Sequence, residues 1–299
     1  MAPLLTVKDL HVEFHTRDGV VKAVNSVTFS LERGTVLAIL GESGSGKSVT
    51  LRSLVRLLPK ARTRMTGKIT LKGHDLYALS EGDVQNLRGS LVAMVFQEPM
   101  TALDPVYTVG EQIVETLVRH QQMSRVRARQ RALELFELVH IPSPERRLTS
   151  YPHEMSGGMR QRAMLAIALA CNPELLLADE PTTALDVTVQ AQILYLLREV
   201  QVRLGMAVIF VTHDLGVAAE VADEVAVMYA GRIVEYGPVR DVLQQPAHPY
   251  TQGLMNATVH RGMKGKQLVP IPGQPPDLWP SENDAVIDGK VGFYSAIKQ

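Results

Sequence analysis

Apolar and polar residues alternate through residues 5–14 (Leu5, Val7, then Leu10, Val12 and Phe14), as in a half-buried β-strand. Residues 22–31 repeat the pattern with Val24, Val27, Phe29 and Leu31, and Asp18-Gly19 marks a turn between the two. A second turn, Glu32-Arg33-Gly34, leads into residues 36–40, a continuous apolar run typical of a strand covered on both faces. A glycine-rich loop follows, then a helix that ends before Pro59. Residues 67–71 and 91–96 predict further strands, while 108–120, 124–140 and 159–170 carry the 3.6-residue spacing of helices. Ser124 is placed to cap the middle helix, with Leu133, Phe136 and Val139 on its apolar face. Arg125, Arg127, Arg129 and Arg131 form its solvated face. Residues 175–178 and 207–211 are again continuous apolar strands with a helix, 187–202, between them. Residues 225–229 and 232–235 flank Ala230-Gly231 as a hairpin.

Strands alternating with helices predict an α/β fold with a mostly parallel core sheet and an N-terminal antiparallel lobe. The helices clustered between Thr108 and Ala170 predict an inserted helical subdomain, about 98–170. From Pro246 onward Pro, Gly and polar residues take over, which places a core domain at 1–243 and an extension at 244–299. No repeat recurs at a fixed period.

Bulk composition narrows the possibilities without naming one. Lys plus Arg and Asp plus Glu are each 31, so the net charge is zero and there is no overall field for holding nucleic acid. The single cysteine, Cys171, excludes an intrachain disulfide and a four-cysteine metal site, and reads as a small buried hydrophobe. The opening Met1-Ala2-Pro3-Leu4-Leu5 lacks the pattern of a secretory signal. The most apolar stretches fall short of the ~20 residues that span a bilayer. The expectation is a soluble cytoplasmic chain whose membrane role, if it has one, comes through a partner.

Gly41-Glu42-Ser43-Gly44-Ser45-Gly46-Lys47-Ser48 fits the phosphate-loop pattern G-x-x-x-x-G-K-[ST], with an apolar strand before it and a helix after it. The glycines let backbone N–H groups converge on phosphate oxygens, and the helix N-terminus adds its positive dipole end. Lys47 can reach the β- and γ-phosphates, and the Ser48 hydroxyl can ligate Mg²⁺. Downstream, residues 175–178 run into Asp179 and Glu180, at the sheet edge where open α/β folds bind ligands. Alone, such an acidic pair is commonly a helix cap. With a phosphate loop upstream, Asp179 suits Mg²⁺ and Glu180 suits the general base that polarises the attacking water.

Ser156-Gly157-Gly158, after Met155 and before Met159-Arg160-Gln161, is a second anion-binding turn at a helix start. One nucleotide needs only one phosphate loop, and here the sequence resembles the ABC ATPase family. In that family this motif completes the partner subunit's nucleotide site across a head-to-tail dimer. The resemblance implies a P-loop NTPase, ABC-type nucleotide-binding domain, with ATP and Mg²⁺ as cofactors. It makes Gln97 the Q-loop glutamine that contacts Mg²⁺ and the attacking water, and Ala184-Leu185-Asp186 the D-loop that touches the opposite subunit. His213 becomes the switch histidine at the γ-phosphate. Phe14, at the end of the first strand, is the candidate for stacking on adenine, with core packing as the plainer reading and His15 as its rival. A kinase or GTPase built on the phosphate loop alone leaves Ser156–Gly158, Asp186 and His213 unexplained.

Phe96-Gln97-Glu98-Pro99-Met100-Thr101-Ala102-Leu103-Asp104-Pro105, His248-Pro249-Tyr250-Thr251 and Ile271-Pro272-Gly273-Gln274-Pro275-Pro276 are similar to the oligopeptide/dipeptide importer branch, which also serves nickel uptake. The resemblance implies a homo- or heterodimer with a second ABC ATPase subunit beneath two transmembrane permease subunits. An extracytoplasmic substrate-binding protein would feed them, and no nucleic acid is involved. The chain would sit peripherally on the cytoplasmic face of the inner membrane. Branch members continue into a cysteine-containing segment, in some of them a cluster site; residues 281–299 contain no cysteine, so this chain alone cannot build one.

Overall fold

The computed structural model describes residues 2–183 and 185–257. Ala184, the 271–276 stretch and the 281–299 tail, each singled out above, lie outside them. The described chain forms two compact units: residues 2–31, 37–77 and 211–257 make the first, and residues 32–36 and 78–210 the second. In chain order the strands are β1 (Leu5–Thr16), β2 (Gly19–Leu31), β3 (Val36–Leu40), β4 (Thr63–Leu71), β5 (His74–Asp75), β6 (Val92–Val95), β7 (Leu175–Asp179), β8 (Ala207–Thr212), β9 (Glu224–Tyr229) and β10 (Arg232–Pro238). The helices are α1 (Lys47–Leu54), α2 (Glu81–Leu87), α3 (Pro99–Ala102), α4 (Val109–Gln121), α5 (Arg125–Leu138), α6 (Pro144–Arg147), α7 (Gly157–Leu169), α8 (Val187–Leu204), α9 (Leu215–Val221), α10 (Val239–Gln244) and α11 (Pro249–Ala257).

The first unit carries an antiparallel sheet in the order β2-β1-β4-β5. Its central strand β1 is bulged between Val7 and Leu10 on one side and between Lys8 and His11 on the other, which breaks strict alternation near Asp9. In the same unit β3 runs parallel to β9, and β9 turns back antiparallel into β10. All five residues of β3 are buried, as its unbroken apolar run requires.

In the second unit β6 and β7 are parallel, with Val95 opposite Ala178. The helices start where the chain supplies caps. Thr108 and Glu111 form a full capping box on α4, and Ser124 and Ser156 accept the N3 amides of α5 and α7. Asp186 caps α8, which stops at Gly205 in the left-handed region. On α5 the structure corrects one expectation. Leu135 is fully buried with Ala128, Ala132, Phe136 and Val139, while Leu133 is only half-buried. Helical spacing alone admits either leucine, and packing against neighbouring helices chooses Leu135. Arg125, Arg127 and Arg129 are exposed as expected, whereas Arg131 bonds Glu134 at 2.9 Å and Asn172 at 3.0 Å. Cys171 is buried, and burial pushes its thiol pKa up, so it is a packing residue. The short helices α2, α9 and α10 carry too few turns to leave a periodic signal and were not predicted.

Candidate nucleotide-binding site

The phosphate loop leaves β3 and enters α1 without an intervening residue to spare. Gly41 (φ +150°) and Gly46 (φ +99°) both adopt backbone conformations closed to L side chains. Both are also pressed against main chain: a Cβ on Gly41 would strike the Met228 carbonyl, and one on Gly46 the Ala23 carbonyl. The Ser45 N–H donates to the Glu42 carbonyl at 3.2 Å, and the Gly231 N–H donates to the Ser45 carbonyl at 3.0 Å. The turn between β9 and β10 therefore braces the loop. Lys47, the first residue of α1, is 5% exposed. Its ammonium donates to the carbonyls of Gly41 and Glu42, each at 2.7 Å, so it is held over the loop. Ser48 is half-buried in the first helical turn, with Glu42 half-buried and Ser43 and Gly44 exposed.

Phe14 and His213 belong to the same unit. Phe14 lies in the central strand of the antiparallel sheet, opposite Val21 and Thr63, and is half-buried; His15 beside it is exposed. His213 is exposed between β8 and α9. Its turn is built by Asp214, whose N–H donates to Thr212 Oγ1 at 3.0 Å and whose carboxylate accepts from the N–H groups of Gly216 and Val217.

The acidic pair lies in the second unit. Asp179 ends β7 and is 1% exposed. Glu180 follows in the left-handed region at φ +45°, unusual for a non-glycine residue and a form of strain that concentrates at functional sites. Its carboxylate accepts from Thr183 Oγ1 at 2.9 Å and from Gln97 Nε2 at a long 3.5 Å. The strand register explains that meeting: Gln97 and Glu180 each lie two residues beyond the last parallel pair, Val95 and Ala178. Thr183 was missed in the sequence although it stands only three residues after Glu180.

The second turn is joined to the Asp186 segment in the same unit. Ser156 caps α7 through the Met159 N–H, and Ser156 and Gly157 are exposed. A Cβ on Gly158 would come within 2.8 Å of Val189 on α8, and one on Gly157 would lie 3.8 Å from Leu185. Asp186 accepts from the Val189 N–H at 3.0 Å. Packing of α7 on α8 thus sets Ser156–Gly158 beside Leu185 and Asp186.

Residues 24–183 match the family model described as ABC transporter, and the chain belongs to that family. Its α/β fold is accordingly that of an ABC-type ATP-binding domain, an ATPase. A second model, the C-terminal region of oligopeptide/dipeptide transporters, matches residues 234–284. The dipeptide transport ATP-binding protein DppD of Bacillus subtilis is 51% identical over 93% of this chain and 84% of its own. The oligopeptide transport ATP-binding protein OppD of Escherichia coli is 50% identical over 92% and 81%. Among solved structures, the dimeric ATP-binding cassette MJ0796 in a post-hydrolysis state bound to ADP and Pi aligns with TM-score 0.71 at 28% identity, over 79% of this chain and 99% of that one. No helix among the described residues is long and apolar enough to cross a membrane.

Proposed function

We propose that this chain is the ATP-hydrolysing subunit of an importer for dipeptides or oligopeptides. The observation that carries the ATP reading is the braced loop, with Lys47 held over it by the Gly41 and Glu42 carbonyls. The peptide assignment is supported by the match of residues 234–284 and by the transport proteins to which the chain is half identical. Residues 1–243 are the ATPase domain with a helical subdomain at about 98–170, and 244–299 are the extension.

In this reading Gly41–Ser48 wrap the phosphates and Phe14 stacks on adenine. Glu180 accepts the proton of the attacking water and His213 contacts the γ-phosphate. The donor set suits Mg²⁺, which takes hard oxygen ligands: Ser48 offers a hydroxyl, Asp179 a carboxylate buried at the end of β7, and Gln97 an amide oxygen. Bound there with ATP, Mg²⁺ would neutralise phosphate charge. Ser156–Gly158 and Asp186 serve the nucleotide of a second ATPase subunit, identical or related. Two such subunits clamp two ATP molecules at the cytoplasmic face of the inner membrane. Tighter binding of ATP to the closed pair than to the open one supplies the bias that moves two permease subunits. The Gln97–Pro105 stretch faces those permeases, and an extracytoplasmic binding protein delivers the solute.

Uptake of labelled di- and oligopeptides by cells carrying Lys47→Ala as their only copy tests the whole reading. Uptake should fall to background. Normal peptide uptake with lost nickel uptake would move the substrate to the branch's other solute, and normal uptake of both would remove the transport assignment.

A further inference from the structure

One side chain from far along the chain reaches the phosphate loop. Tyr250, in the His248-Pro249-Tyr250-Thr251 run that opens α11, is fully buried, and its hydroxyl oxygen accepts the Glu42 N–H at 3.1 Å. Its ring lies on Tyr229 at the end of β9, with centroids 4.4 Å apart. The segment is fastened just before this contact. Glu235 on β10 accepts the N–H groups of Ala247 at 2.8 Å and His248 at 3.1 Å, and His248 Nδ1 accepts the Tyr250 N–H at 3.1 Å. Burial pushes the Tyr250 hydroxyl to a pKa of about 12, so it stays a neutral acceptor at physiological pH.

We propose that Tyr250 is a positioning residue for ATP, holding the Glu42 peptide of the phosphate loop and so making the start of the C-terminal segment a structural part of the nucleotide site. This rests on the reading of residues 41–48 as the ATP loop. The residue whose N–H Tyr250 holds is the one whose carbonyl accepts from both Lys47 Nζ and the Ser45 N–H. Loss of the hydroxyl leaves that N–H without its partner and lets the Gly41–Glu42 amide turn, which moves the Gly41 carbonyl, the other acceptor of Lys47 Nζ, and loosens the loop at Glu42 beside it. Tyr250 acts through Glu42, so the effect falls on ATP affinity and not on the chemical step.

The full-length chain with Tyr250→Phe keeps the ring and loses the acceptor. Titration with Mg-ATP should give about three- to tenfold weaker binding, with the cooperative unfolding transition retained and hydrolysis at saturating ATP unchanged. Glu235→Ala releases Ala247 and His248 without touching the loop, so it should weaken ATP binding too, and the double variant should lose no more than Tyr250→Phe alone. Affinity for Tyr250→Phe within about twofold of the parent would overturn the proposal; a loss confined to turnover, or strictly additive losses in the double variant, would do so as well. Lys47→Ala run alongside separates the two ideas. If that variant binds ATP normally, the loop reading itself has failed, whatever Tyr250 does.

Discussion

Glu180 combines a strained backbone with a pinned carboxylate: φ is +45°, and Thr183 and Gln97 both donate to one oxygen. Strain of this kind persists where the surrounding structure over-determines it, here through the β6–β7 register that also positions Gln97. Glu180→Gln keeps shape and hydrogen-bonding capacity but cannot accept a proton. It should bind ATP normally while hydrolysis drops at least about 10²-fold, measured as phosphate release; near-parental turnover would remove Glu180 as the base. Gly46 obeys a different constraint. Alanine there must take a left-handed φ, at about 1–2 kcal/mol, and also displace the Ala23 carbonyl. Gly46→Ala should therefore lower the denaturation midpoint and lose ATP binding together. Gly41, Lys47, Asp179 and Glu180 were all legible in the sequence, because a phosphate loop and an acid-ended apolar strand are local patterns. Glu180's left-handed backbone was not legible, since nothing about glutamate favours it.

Elements were legible where the chain marks its own ends. Thr108 and Glu111, Ser124, Ser156 and Asp186 cap the helices they precede, and the all-apolar runs became fully buried strands. Thr108→Ala removes the side-chain acceptor at the start of α4 and should cost about 1 kcal/mol in urea denaturation, with ATP binding intact. The segment from Ala247 to Tyr250 carries a pH dependence. Burial pushes the His248 pKa below its ordinary 6.5 despite the opposing charge of Glu235, the acid that faces it. The neutral ring is therefore the form the fold prefers, and its Nδ1 accepts the Tyr250 N–H. This contribution is fully present above pH about 6.5 and is lost as pH falls through the lowered value. The protection factor of the Tyr250 amide, its exchange corrected for the intrinsic rate at each pH, should fall between pH 7.5 and 5.5, and His248→Asn should flatten the difference. On α5 the expected face holds at Phe136 and Val139, both fully buried, and differs at one position: Leu135 is buried where Leu133 was expected.

At the scale of the molecule, the proposed reading makes each chain the holder of two half-sites, a phosphate loop and a Ser-Gly-Gly turn. Hydrolysis by the purified chain should rise more than linearly with protein concentration. Glu180→Gln with ATP should sediment as a dimer and revert to monomer with ADP. A linear dependence, together with a monomer at all concentrations, would put the complete site within one chain. Ser156→Ala in one subunit of a mixed pair, with Lys47→Ala in the other, tests the crossing directly: one composite site loses both halves, and the other retains both.

The sequence alone determined the α/β class, the loop, the acidic strand end and the family, because each is written in adjacent residues or in a fixed period. Tertiary structure alone decided which residues meet across long separations. Parallel register placed Gln97 on Glu180, α7–α8 packing set Gly158 against Val189, and the return of the chain after β10 brought Tyr250 to Glu42. Hydrophobic period specifies a face, not a neighbour; the neighbour is chosen when buried surface and unpaired hydrogen-bonding groups are satisfied together.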